Sequence, residues 1–588
     1  MTELLCKGLN DDSVSILIGG EAGQGISRSG SLLGHSFIRG GFHAFGTNEY
    51  PSLIRGGHNY YILRTSTREV FSQDEKIDVV VALNKETAVV HESELNPSGN
   101  IIVDEDAIFT DGELKRGDVN VYRVPLTRIV KELGGPEIMR NTVALGAVLG
   151  LIGLDHTIMK DVVAATFAKK EVAEMNRKAI DRGYEYVKER FDGFNCEING
   201  VRALRDRVFL TGNDALALGA VSSGCKFYAA YPMTPASPIL DYMMNHDEAT
   251  KMVVIQGESE LAVMNMVVGA SYGGVRAMAA TSGGGFSLMT EALGLAAMTE
   301  SPVVVNLGQR PGPSTGLATH SAQGDLLFAL NASQGEFPRI IIAPSDVDDC
   351  FYLTKHAFNF ADRFQVPVIL LTDKYLVESE IDTLPFDPDY VPIDRGKTVV
   401  IDEYGSRGYG RYAFTDDGVS PMLLPGTKGA IVKATSNEHD DRGYSSSKPD
   451  EVVAMVDKRF KKVPFIEKEV KKLNLVNLYG DPSADITLVS WGGNKGPILE
   501  AIRLLVEDGL RARLLQVVFM DPFPGEELKS ELGKSKDTLL IENNKTAQLG
   551  KLIKLHTGFV FDNVLLRYDG RPFNPSEIRR RVMEVVGR

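Results

Sequence analysis

Short apolar runs alternate with helix-like stretches along most of this chain. In the first third, apolar runs predict strands at residues 13–18, 78–83 and 100–104, and longer runs predict helices at 26–39 and 141–154. The final segment repeats the alternation, with strands predicted at 485–491, 512–519, 537–542 and 563–567 and helices at 496–507, 525–534, 546–556 and 575–586. Such alternation is typical of the α/β class, and we expect three doubly wound domains.

The same pattern divides the chain into four parts. We expect α/β domains at residues 1–195, 206–385 and 483–588. The stretch at 191–201 is the predicted linker between the first two domains. Residues 386–480 are polar and rich in turn residues, which predicts a connecting region.

A stiff loop interrupts the second predicted domain. Residues 231–235 read Tyr-Pro-Met-Thr-Pro and follow a predicted buried strand. Pro232 and Pro235 remove backbone donors and restrict the residues before them, so the Thr234 hydroxyl is held in a rigid segment. Because ligands of α/β folds bind beyond the carboxyl ends of strands, a functional loop is favoured over a plain turn.

Charged residues follow other predicted strands of this domain. Glu258 and Glu260 stand between a strand at 252–256 and an apolar helix at 261–272. Acids in a first helical turn often only balance the helix dipole, but a buried carboxylate would need a partner. Arg310 follows a strand at 302–307 in a rigid Pro/Gly loop, which favours an anion-holding role over a solvated arginine.

Two glycine-rich turns join a predicted strand to a predicted helix. Residues 19–25 form the first, and residues 281–286 form the second, before a helix predicted at 287–299. This geometry points backbone N–H groups at an anion. The first turn lacks the acidic residue of the dinucleotide fingerprint, which disfavours NAD and leaves a plain turn as the alternative. Arg55, which precedes a glycine pair, is either an anion-binding or a surface arginine.

Two histidines are weak candidates for a metal site. His58 has no second ligand at a recognisable spacing, which favours a hydrogen-bonded structural histidine. His439 lies between two acids, and a solvated loop is the favoured interpretation there. The four cysteines include no C-x-x-C pair, so we expect free thiols in a reducing compartment and neither a cluster-binding run nor a zinc site.

Composition mainly excludes functions. Lys and Arg number 64 against 78 Asp and Glu, a net charge of −14, which disfavours a nucleic-acid partner. The first ten residues lack the basic start and apolar core of a signal peptide. The longest near-apolar stretch, at 145–154, is far shorter than the roughly 20 residues of a membrane helix. We therefore expect a cytoplasmic protein without a membrane partner.

Taken in order, these motifs resemble the 2-oxoacid:ferredoxin oxidoreductases, in the form whose gamma and alpha parts are fused. Residues 19–25 and 50–59 resemble the gamma domain. The segments that resemble the pyrimidine-side domain of a thiamine diphosphate enzyme are 231–235, Glu260, 281–286 and 310–316. Residues 411–421 resemble the connecting region of the family, and 542–544 and 568–573 resemble its transketolase C-terminal-like domain. The similarity covers nearly the whole chain.

The resemblance implies roles for single residues. Glu260, with Glu258 as second choice, would hydrogen-bond the aminopyrimidine ring of thiamine diphosphate and favour its imino tautomer. Arg310 and Thr234 would hold the carboxylate of the substrate. The remaining expected contacts are Pro232, Gly283 and Gly284 on the pyrimidine side, Tyr231 and Thr315 at the substrate, and Gly20, Gly23, Gly25 and Arg55 on the coenzyme A side.

The implied reaction is oxidative decarboxylation of a 2-oxoacid with coenzyme A, giving acyl-CoA, CO2 and reduced ferredoxin, or the reverse carboxylation. We expect 2-oxoglutarate ahead of branched 2-oxoacids and pyruvate. Residues 480–482 read Gly-Asp-Pro instead of the Gly-Asp-Gly that starts a diphosphate–Mg²⁺ site, and cluster-binding cysteines are missing.

The resemblance therefore implies a separate beta subunit that carries Mg²⁺ and a [4Fe–4S] cluster, in an (αβ)2 assembly that reduces ferredoxin. Two alternatives stay open. One is a subunit of another two-chain thiamine enzyme, either transketolase-like or an NAD-linked oxoacid dehydrogenase. The other is a non-catalytic anion-binding protein of the same fold.

Overall fold

The computed structural model describes residues 13–52, 56–107, 109, 113–191, 200–405 and 408–587. The chain forms two compact units. The first comprises Met1–Thr211, Glu378–Pro385 and Asn574–Glu577, and the second comprises Gly212–Val377, Phe386–Phe573 and Ile578–Arg588. Among the described helices, none has both the length and the apolar character needed to cross a membrane.

The strands, numbered in chain order, are β1 (Ser13–Glu21), β2 (His43–Glu49), β3 (His58–Ser66), β4 (Ile77–Ala82), β5 (Leu95–Asp104), β6 (Asn120–Val124), β7 (Val208–Thr211), β8 (Cys225–Ala230), β9 (Val253–Gln256), β10 (Arg276–Thr281), β11 (Val304–Gln309), β12 (Ile340–Ile342), β13 (Val368–Asp373), β14 (Glu380–Thr383), β15 (Thr398–Val399), β16 (Met422–Leu423), β17 (Val476–Gly480), β18 (Ile486–Ser490), β19 (Ala512–Val517), β20 (Phe519–Asp521), β21 (Asp537–Glu542) and β22 (Val564–Leu566).

The α-helices are α1 (Ile26–Gly40), α2 (Lys85–His91), α3 (Leu126–Leu133), α4 (Arg140–Ile152), α5 (His156–Thr166), α6 (Lys170–Arg190), α7 (Gly212–Ser222), α8 (Ser237–Asn245), α9 (Asp247–Thr250), α10 (Glu260–Tyr272), α11 (Gly283–Met298), α12 (Leu326–Leu330), α13 (Val347–Phe364), α14 (Lys374–Glu378), α15 (Pro449–Phe460), α16 (Val463–Val470), α17 (Lys495–Glu507), α18 (Gly525–Gly533), α19 (Gln548–Thr557) and α20 (Pro575–Val585).

The first unit is built on an eight-stranded mixed sheet with the strand order β6-β5-β4-β1-β3-β2-β14-β7. The strands from β6 to β1 run parallel, as the sequence predicts, and the strands from β3 to β7 extend the sheet in antiparallel pairs. β7 and β14 lie in the sequence range predicted for the second domain, yet they pair within this sheet. The four-part division of the chain stays a prediction.

Small residues in the first unit allow two helices to cross closely. A Cβ added to Gly146 on α4 would overlap the carbonyl oxygen of Ile180, and one on Gly183 of α6 would overlap that of Val143. The structure confirms the helix predicted at 141–154, which is buried along its length. Its glycine at the crossing is explained by contact with α6.

The second unit contains a seven-stranded sheet with the order β20-β12-β13-β11-β10-β8-β9. All its strands are parallel except β20 at one edge. A five-stranded sheet, ordered β17-β19-β18-β21-β22, carries the C-terminal part. Apolar residues of both parts, for example Leu307 and Trp491, belong to one buried core. The α/β class predicted from the alternation is confirmed.

The polar connecting region contains two helices, α15 and α16, that its composition did not predict. Lys458 on α15 and Lys462, just before α16, are buried, and their ammonium groups pair with the buried carboxylate of Glu300 at 2.7 and 2.6 Å. These lysines hold the pKa of Glu300 well below its usual range against the opposing effect of burial. α15 buries Met455 together with Lys458 and Arg459, and α16 buries Ile466 and Val470, so only the overall polar composition of the region concealed these helices.

Candidate functional site

The carboxyl ends of four neighbouring parallel strands lie at one edge of the seven-stranded sheet. These strands stand in the order β11-β10-β8-β9. The chain runs from β8 outward to β9 and then returns to β10 on the other side of β8. In open α/β sheets the ligand crevice lies where the strand order reverses in this way. The loop after β8 and the start of α11 after β10 flank this point.

The loop at residues 231–235 is fixed by two side chains. Asn213 on α7 donates its side-chain amide hydrogen to the carbonyl oxygen of Pro235 at 2.9 Å. Arg310, just after β11, donates from Nη1 to the carbonyl oxygen of Thr234 at 2.8 Å. The structure thus brings Thr234 and Arg310 together, as their predicted shared role requires.

The same loop also contacts the start of α11. The hydroxyl of Ser282 lies 2.7 Å from the Met233 sulfur. Tyr231 and Pro232 are exposed at the beginning of the loop. The loop therefore has one face packed on β10 and α11 and another face open to solvent.

Helix α11 begins earlier than the sequence predicts. The three glycines at 283–285 were expected in a turn before a helix at 287–299, but they form the first turn of the helix itself, after Ser282 as N-cap. None of them has a positive φ. Glycine here is therefore explained by space and not by a left-handed backbone.

Two carboxyl groups occupy the space that side chains at these glycines would need. A Cβ at Gly285 would overlap the Glu260 carboxyl group, and one at Gly283 would lie 2.5 Å from Oδ2 of Asp325. Above Gly284 the nearest atom is a backbone carbonyl oxygen at 3.8 Å. The first turn of α11, where N–H groups have no partner in the helix, thus lies between two acids.

Glu260 is buried and has an unsatisfied carboxyl oxygen. It is the first residue of α10 and is 3% exposed. Its Oε1 has no hydrogen-bond partner among the described residues. Glu258, the second choice, is exposed. A buried polar atom of this kind costs free energy unless something binds to it, so the geometry favours Glu260 as the ligand-contacting acid.

Asp325 is a candidate residue that the sequence interpretation missed. Its Oδ2 is buried and has no hydrogen-bond partner in the described part of the chain. Burial raises the pKa of this carboxyl group to about 6. The available signal was its place at the end of the Pro/Gly loop that starts at Arg310. That loop returns Asp325 to the end of β11, where its backbone N–H donates to Gln309 Oε1 at 3.0 Å.

The C-terminal part of the second unit holds the loop that ends at Asp325. Gln323 Nε2 donates to the Trp491 carbonyl oxygen at 2.9 Å, and Gln323 Oε1 accepts from the Asn494 side chain at 2.9 Å and from the Asn543 backbone at 3.1 Å. Asn543 belongs to the motif at 542–544 identified in the sequence. Its strand end therefore anchors this loop.

Arg310 and Thr315 lie on the same loop but differ in exposure, and Arg310 is half-buried. Partial burial lowers the pKa of the Arg310 guanidinium, which donates a hydrogen bond to the backbone oxygen of Thr234. Thr315 is exposed. Arg310 is thus positioned at the crevice, whereas the predicted substrate contact of Thr315 stays a prediction.

The glycine turn of the first unit is satisfied by its own chain. Gly23 and Gly25 have φ values of 91° and 74°, a conformation that favours glycine. The Gln24 side chain accepts from the Glu21 backbone N–H at 2.9 Å. A Cβ added to Gly20 would overlap that same Gln24 side chain. Arg55, the fourth residue predicted for the coenzyme A side, lies outside the described residues.

A cavity of about 300 Å³ opens beside this turn. Its lining is largely apolar and includes Gly25, Leu32, Ile138 and Met175. At its rim the guanidinium of Arg28 stands 4.6 Å from the centre of the Phe167 ring. The first unit therefore has a recess next to the turn, with a cation at its edge.

His58 is hydrogen-bonded, as predicted. Its Nε2 lies 2.7 Å from Nε2 of His91, and Nδ1 of His91 lies 2.8 Å from the Glu94 carboxylate. Burial, and after it the neighbouring His91, lowers the pKa of His58. Across the described residues, no cluster of three or more potential metal ligands is present.

The expectation of a solvated loop at His439 is wrong. His439 is fully buried, and its ring stacks at 4.0 Å on Tyr412. Its two ring nitrogens lie 2.8 Å from the Asp440 carbonyl oxygen and 3.3 Å from that of Met298. Flanking acids made the segment look solvated, but the end of α11 covers it.

Two of the four cysteines can be assessed. Cys225 and Cys350 are buried free thiols, and burial raises the pKa of the Cys225 thiol to about 12. Such thiols are unreactive structural groups. Cys6 and Cys196 lie outside the described residues.

Two family models match the chain. Residues 218–458 match the model described as pyruvate flavodoxin/ferredoxin oxidoreductase, thiamine diphosphate-binding. Residues 15–186 match the model described as pyruvate ferredoxin/flavodoxin oxidoreductase. The first match includes β8 to β13 and Glu260, Arg310 and Asp325.

Individual relatives match over greater lengths. The alpha subunit of 2-oxoacid:ferredoxin oxidoreductase 2 from Aeropyrum pernix is 32% identical over 97% of this chain and 98% of its own. The 2-oxoglutarate synthase subunit KorA from Methanothermobacter marburgensis is 33% identical over 65% of this chain and 99% of its own. A solved 2-oxoglutarate:ferredoxin oxidoreductase from Magnetococcus marinus, with 2-oxoglutarate, coenzyme A and succinyl-CoA bound, is 31% identical, with a TM-score of 0.88 over 98% of this chain and 99% of that one.

Proposed function

Because this chain belongs to the alpha subunits of the 2-oxoacid:ferredoxin oxidoreductases, which act within multi-subunit enzymes, we propose that its substrate is 2-oxoglutarate. With coenzyme A the substrate is oxidised to succinyl-CoA and CO2, and the electrons pass singly to ferredoxin. The reverse carboxylation uses the same groups. The choice of 2-oxoglutarate is supported by the ligands of the Magnetococcus marinus enzyme and by the name of the KorA relative.

The observation that carries the proposal is the buried, unpartnered carboxyl oxygen of Glu260 beside the first turn of α11. Thiamine diphosphate is the cofactor that the family implies, and these residues fit its pyrimidine end. The carboxyl group can hydrogen-bond a ring nitrogen, and a Cβ placed on Gly284 would meet only a backbone carbonyl oxygen at 3.8 Å. When bound, the cofactor supplies the carbon that attacks the keto group and takes up the negative charge left by decarboxylation.

Residues of this chain contact both the pyrimidine ring of the cofactor and the 2-oxoacid substrate. By its hydrogen bond to the pyrimidine ring, Glu260 favours the imino tautomer that the reaction needs. Arg310 and the Thr234 hydroxyl bind the carboxylate of the 2-oxoacid, because a guanidinium gives charge-assisted hydrogen bonds of roughly 1.5–3 kcal/mol. The further proposed contacts are Tyr231 and Thr315 for the substrate and Pro232, Gly283 and Gly284 for the pyrimidine ring.

For coenzyme A we propose the glycine turn of the first unit. Gly20 lies at the end of β1, and Gly23 and Gly25 lie in the turn before α1, where backbone N–H groups suit phosphate oxygens. Arg55, which lies between β2 and β3 in the sequence, would supply a cation. The assignment rests on the glycine pattern and on the charge of phosphate groups.

The diphosphate end of the cofactor is assigned to a partner beta subunit. Gly480 ends β17 and is followed by Asp481 and Pro482, which does not provide the usual metal-binding pattern. The beta subunit would carry Mg²⁺ and a [4Fe–4S] cluster and pass electrons to ferredoxin within an (αβ)2 assembly. Exposed apolar side chains on the helices that start at the site, Leu261 at 49% and Leu288 at 45%, suit such a partner.

The test is to replace Glu260 by Gln in the complex purified with its partner subunits. We expect 2-oxoglutarate- and coenzyme A-dependent reduction of a viologen dye to fall at least about 100-fold, because the amide cannot serve as the acid–base partner of the ring. The exposed Glu258→Gln variant is the matched control and should retain activity.

Near-normal activity of Glu260→Gln would contradict the assignment. Parallel assays with pyruvate and branched 2-oxoacids decide the substrate. A copurified complex without iron–sulfur absorption would instead indicate another two-chain thiamine enzyme.

A further inference from the structure

The first turn of α11 lies between two buried carboxyl groups, of which only Glu260 has a role so far. Glu260 faces Gly285, and Asp325 faces Gly283. Between them, above Gly284, the nearest atom is 3.8 Å from the position of a Cβ. Each acid has an oxygen without a hydrogen-bond partner in the described part of the protein. The two acids thus lie beside the first and third of three consecutive glycines.

The Asp325 side chain does not make the capping hydrogen bond that is usual at its position. It is the N-cap residue of α12, where an aspartate side chain usually accepts from the backbone of its own helix. Here the side chain makes no such bond and lies instead against Gly283. Its backbone N–H is bound to Gln309, and Gln323, two residues earlier, is held by Trp491. The carboxyl group is therefore oriented toward α11 by a fixed loop.

The unpaired oxygen of Asp325 selects the chemistry of its ligand. With the pKa of its carboxyl group raised to about 6, Asp325 is largely ionised at neutral pH and can only accept hydrogen bonds. A 2-oxoacid offers acceptor oxygens and a negative charge, which a carboxylate repels. The thiamine pyrimidine ring carries an amino group, which is a donor.

Given the proposed thiamine function, we propose that Asp325 is a second cofactor-contacting carboxyl group, which accepts a hydrogen bond from the amino group of the pyrimidine ring opposite Glu260. The ring nitrogen that Glu260 would contact and the carbon that bears the amino group lie across the ring from each other. Two acids on either side of Gly284 match that arrangement. The glycines leave room for the ring, and the acids orient it.

This role explains why a buried acid without a partner is present. In the absence of the cofactor, an unsatisfied buried carboxylate destabilises the fold, and a neutral residue would be more favourable there. A purely structural acid would show the opposite behaviour. Replacing it would then lower stability and leave cofactor affinity unchanged.

The experiment measures the affinity of the cofactor-stripped complex for thiamine diphosphate with Mg²⁺ by calorimetry. In Asp325→Ala we expect the dissociation constant to rise about tenfold or more, since a charge-assisted hydrogen bond is lost. Asp325→Asn keeps an oxygen acceptor and should show a smaller rise. The thermal midpoint of the stripped complex should stay the same or increase in both variants.

Asp521→Asn is the matched control. Asp521 is another acid whose pKa burial raises to about 6, but it lies on β20, at the opposite edge of the sheet from β9. It should leave thiamine affinity unchanged. A dissociation constant for Asp325→Ala within twofold of the parent would overturn the proposal, and if that variant does not fold, an unchanged Asp325→Asn with a lowered midpoint would do so.

The parent complex separates this proposal from the proposed function. If it binds thiamine diphosphate and reduces dye with a 2-oxoacid while the Asp325 variants match it, only the role of Asp325 fails. If the parent binds no thiamine diphosphate, the proposed function fails, and the role of Asp325 fails with it.

Discussion

The two glycine turns of this chain look alike in sequence and differ in their physical reason. Both follow a parallel strand and lead into a helix, at residues 19–25 and 283–285. In the first, Gly23 and Gly25 have positive φ, and a Cβ at Gly23 would meet nothing within 4 Å. In the second, the backbone is helical, and side chains would overlap two carboxyl groups. One turn needs glycine for backbone shape, and the other needs it for space.

This difference separates the chemistry of the two turns. In the first, the Gln24 side chain accepts from the Glu21 backbone and Asn141 donates to the Gln24 carbonyl oxygen, and the ligand proposed there is an anion. The second presents unsatisfied carboxyl oxygens, so it is suited to a ligand with hydrogen-bond donors. A strand–glycine–helix pattern by itself therefore identifies neither the ligand nor the sign of its charge.

The strongest test of this comparison is Gly285→Ala. The added Cβ overlaps the Thr281 hydroxyl and the Glu260 carboxyl group, and both must move. We expect 2-oxoacid-dependent dye reduction by the complex to fall at least about 100-fold, because a misplaced catalytic group costs that much. Gly533→Ala, in a helix where a Cβ meets nothing within 4 Å, is the control. Unimpaired activity of Gly285→Ala would show that Glu260 does not need this position.

A smaller effect is expected on the pH dependence of stability. The folded-state pKa of Asp325, about 6, lies above its usual value of 3.8, so its contribution is fully present below pH 3.8 and is lost as pH rises through 6. Asp325→Asn does not ionise. Its stability relative to the parent should therefore rise between pH 4 and 7, by about 1–3 kcal/mol. Thermal midpoints of both proteins across this range measure it, and a constant difference would contradict the raised pKa.

The smallest expected effect is on stability, and it tests whether Gly25 in the first turn is required for its backbone conformation or for steric room. At Gly25 a Cβ would be in ordinary contact, 3.4 Å from Ile138, but φ is 74°. Asparagine adopts this conformation more easily than alanine and is also a better N-cap. Gly25→Asn should therefore be more stable than Gly25→Ala by about 0.5–1 kcal/mol, as measured by thermal unfolding. Equal stability would remove backbone conformation as the reason for this glycine.

Local pattern predicted most of the regular structure. The strand at 537–542 and the helix at 525–534 were located to within a residue, because apolar periodicity and turn residues bound them clearly. The helices α15 and α16 were not predicted in the polar connecting region, where Lys458 and Lys462 are buried by pairing with Glu300. A local pattern cannot reveal an ion pair between residues about 160 positions apart.

The candidate site was predicted in part for the same reason. Tyr231, Thr234 and Arg310 follow strands and stand in stiff loops, so their sequence context marked them. Asp325 follows no strand, and only the return of its loop to the end of β11 brings it to α11. The pairing of β14 with β2 and β7 likewise joins segments that are far apart in sequence.

The sequence by itself determined the α/β class, the stiff loop at 231–235 and the glycine turn before α1, because these depend on local conformational preferences. Tertiary structure decided which chemical groups each glycine segment presents. It placed Glu260 and Asp325 on either side of Gly284, left an oxygen of each without a partner, and closed the first turn on its own side chains. Burial and distance between residues remote in sequence arise only when the chain folds, and they set the chemistry of each turn.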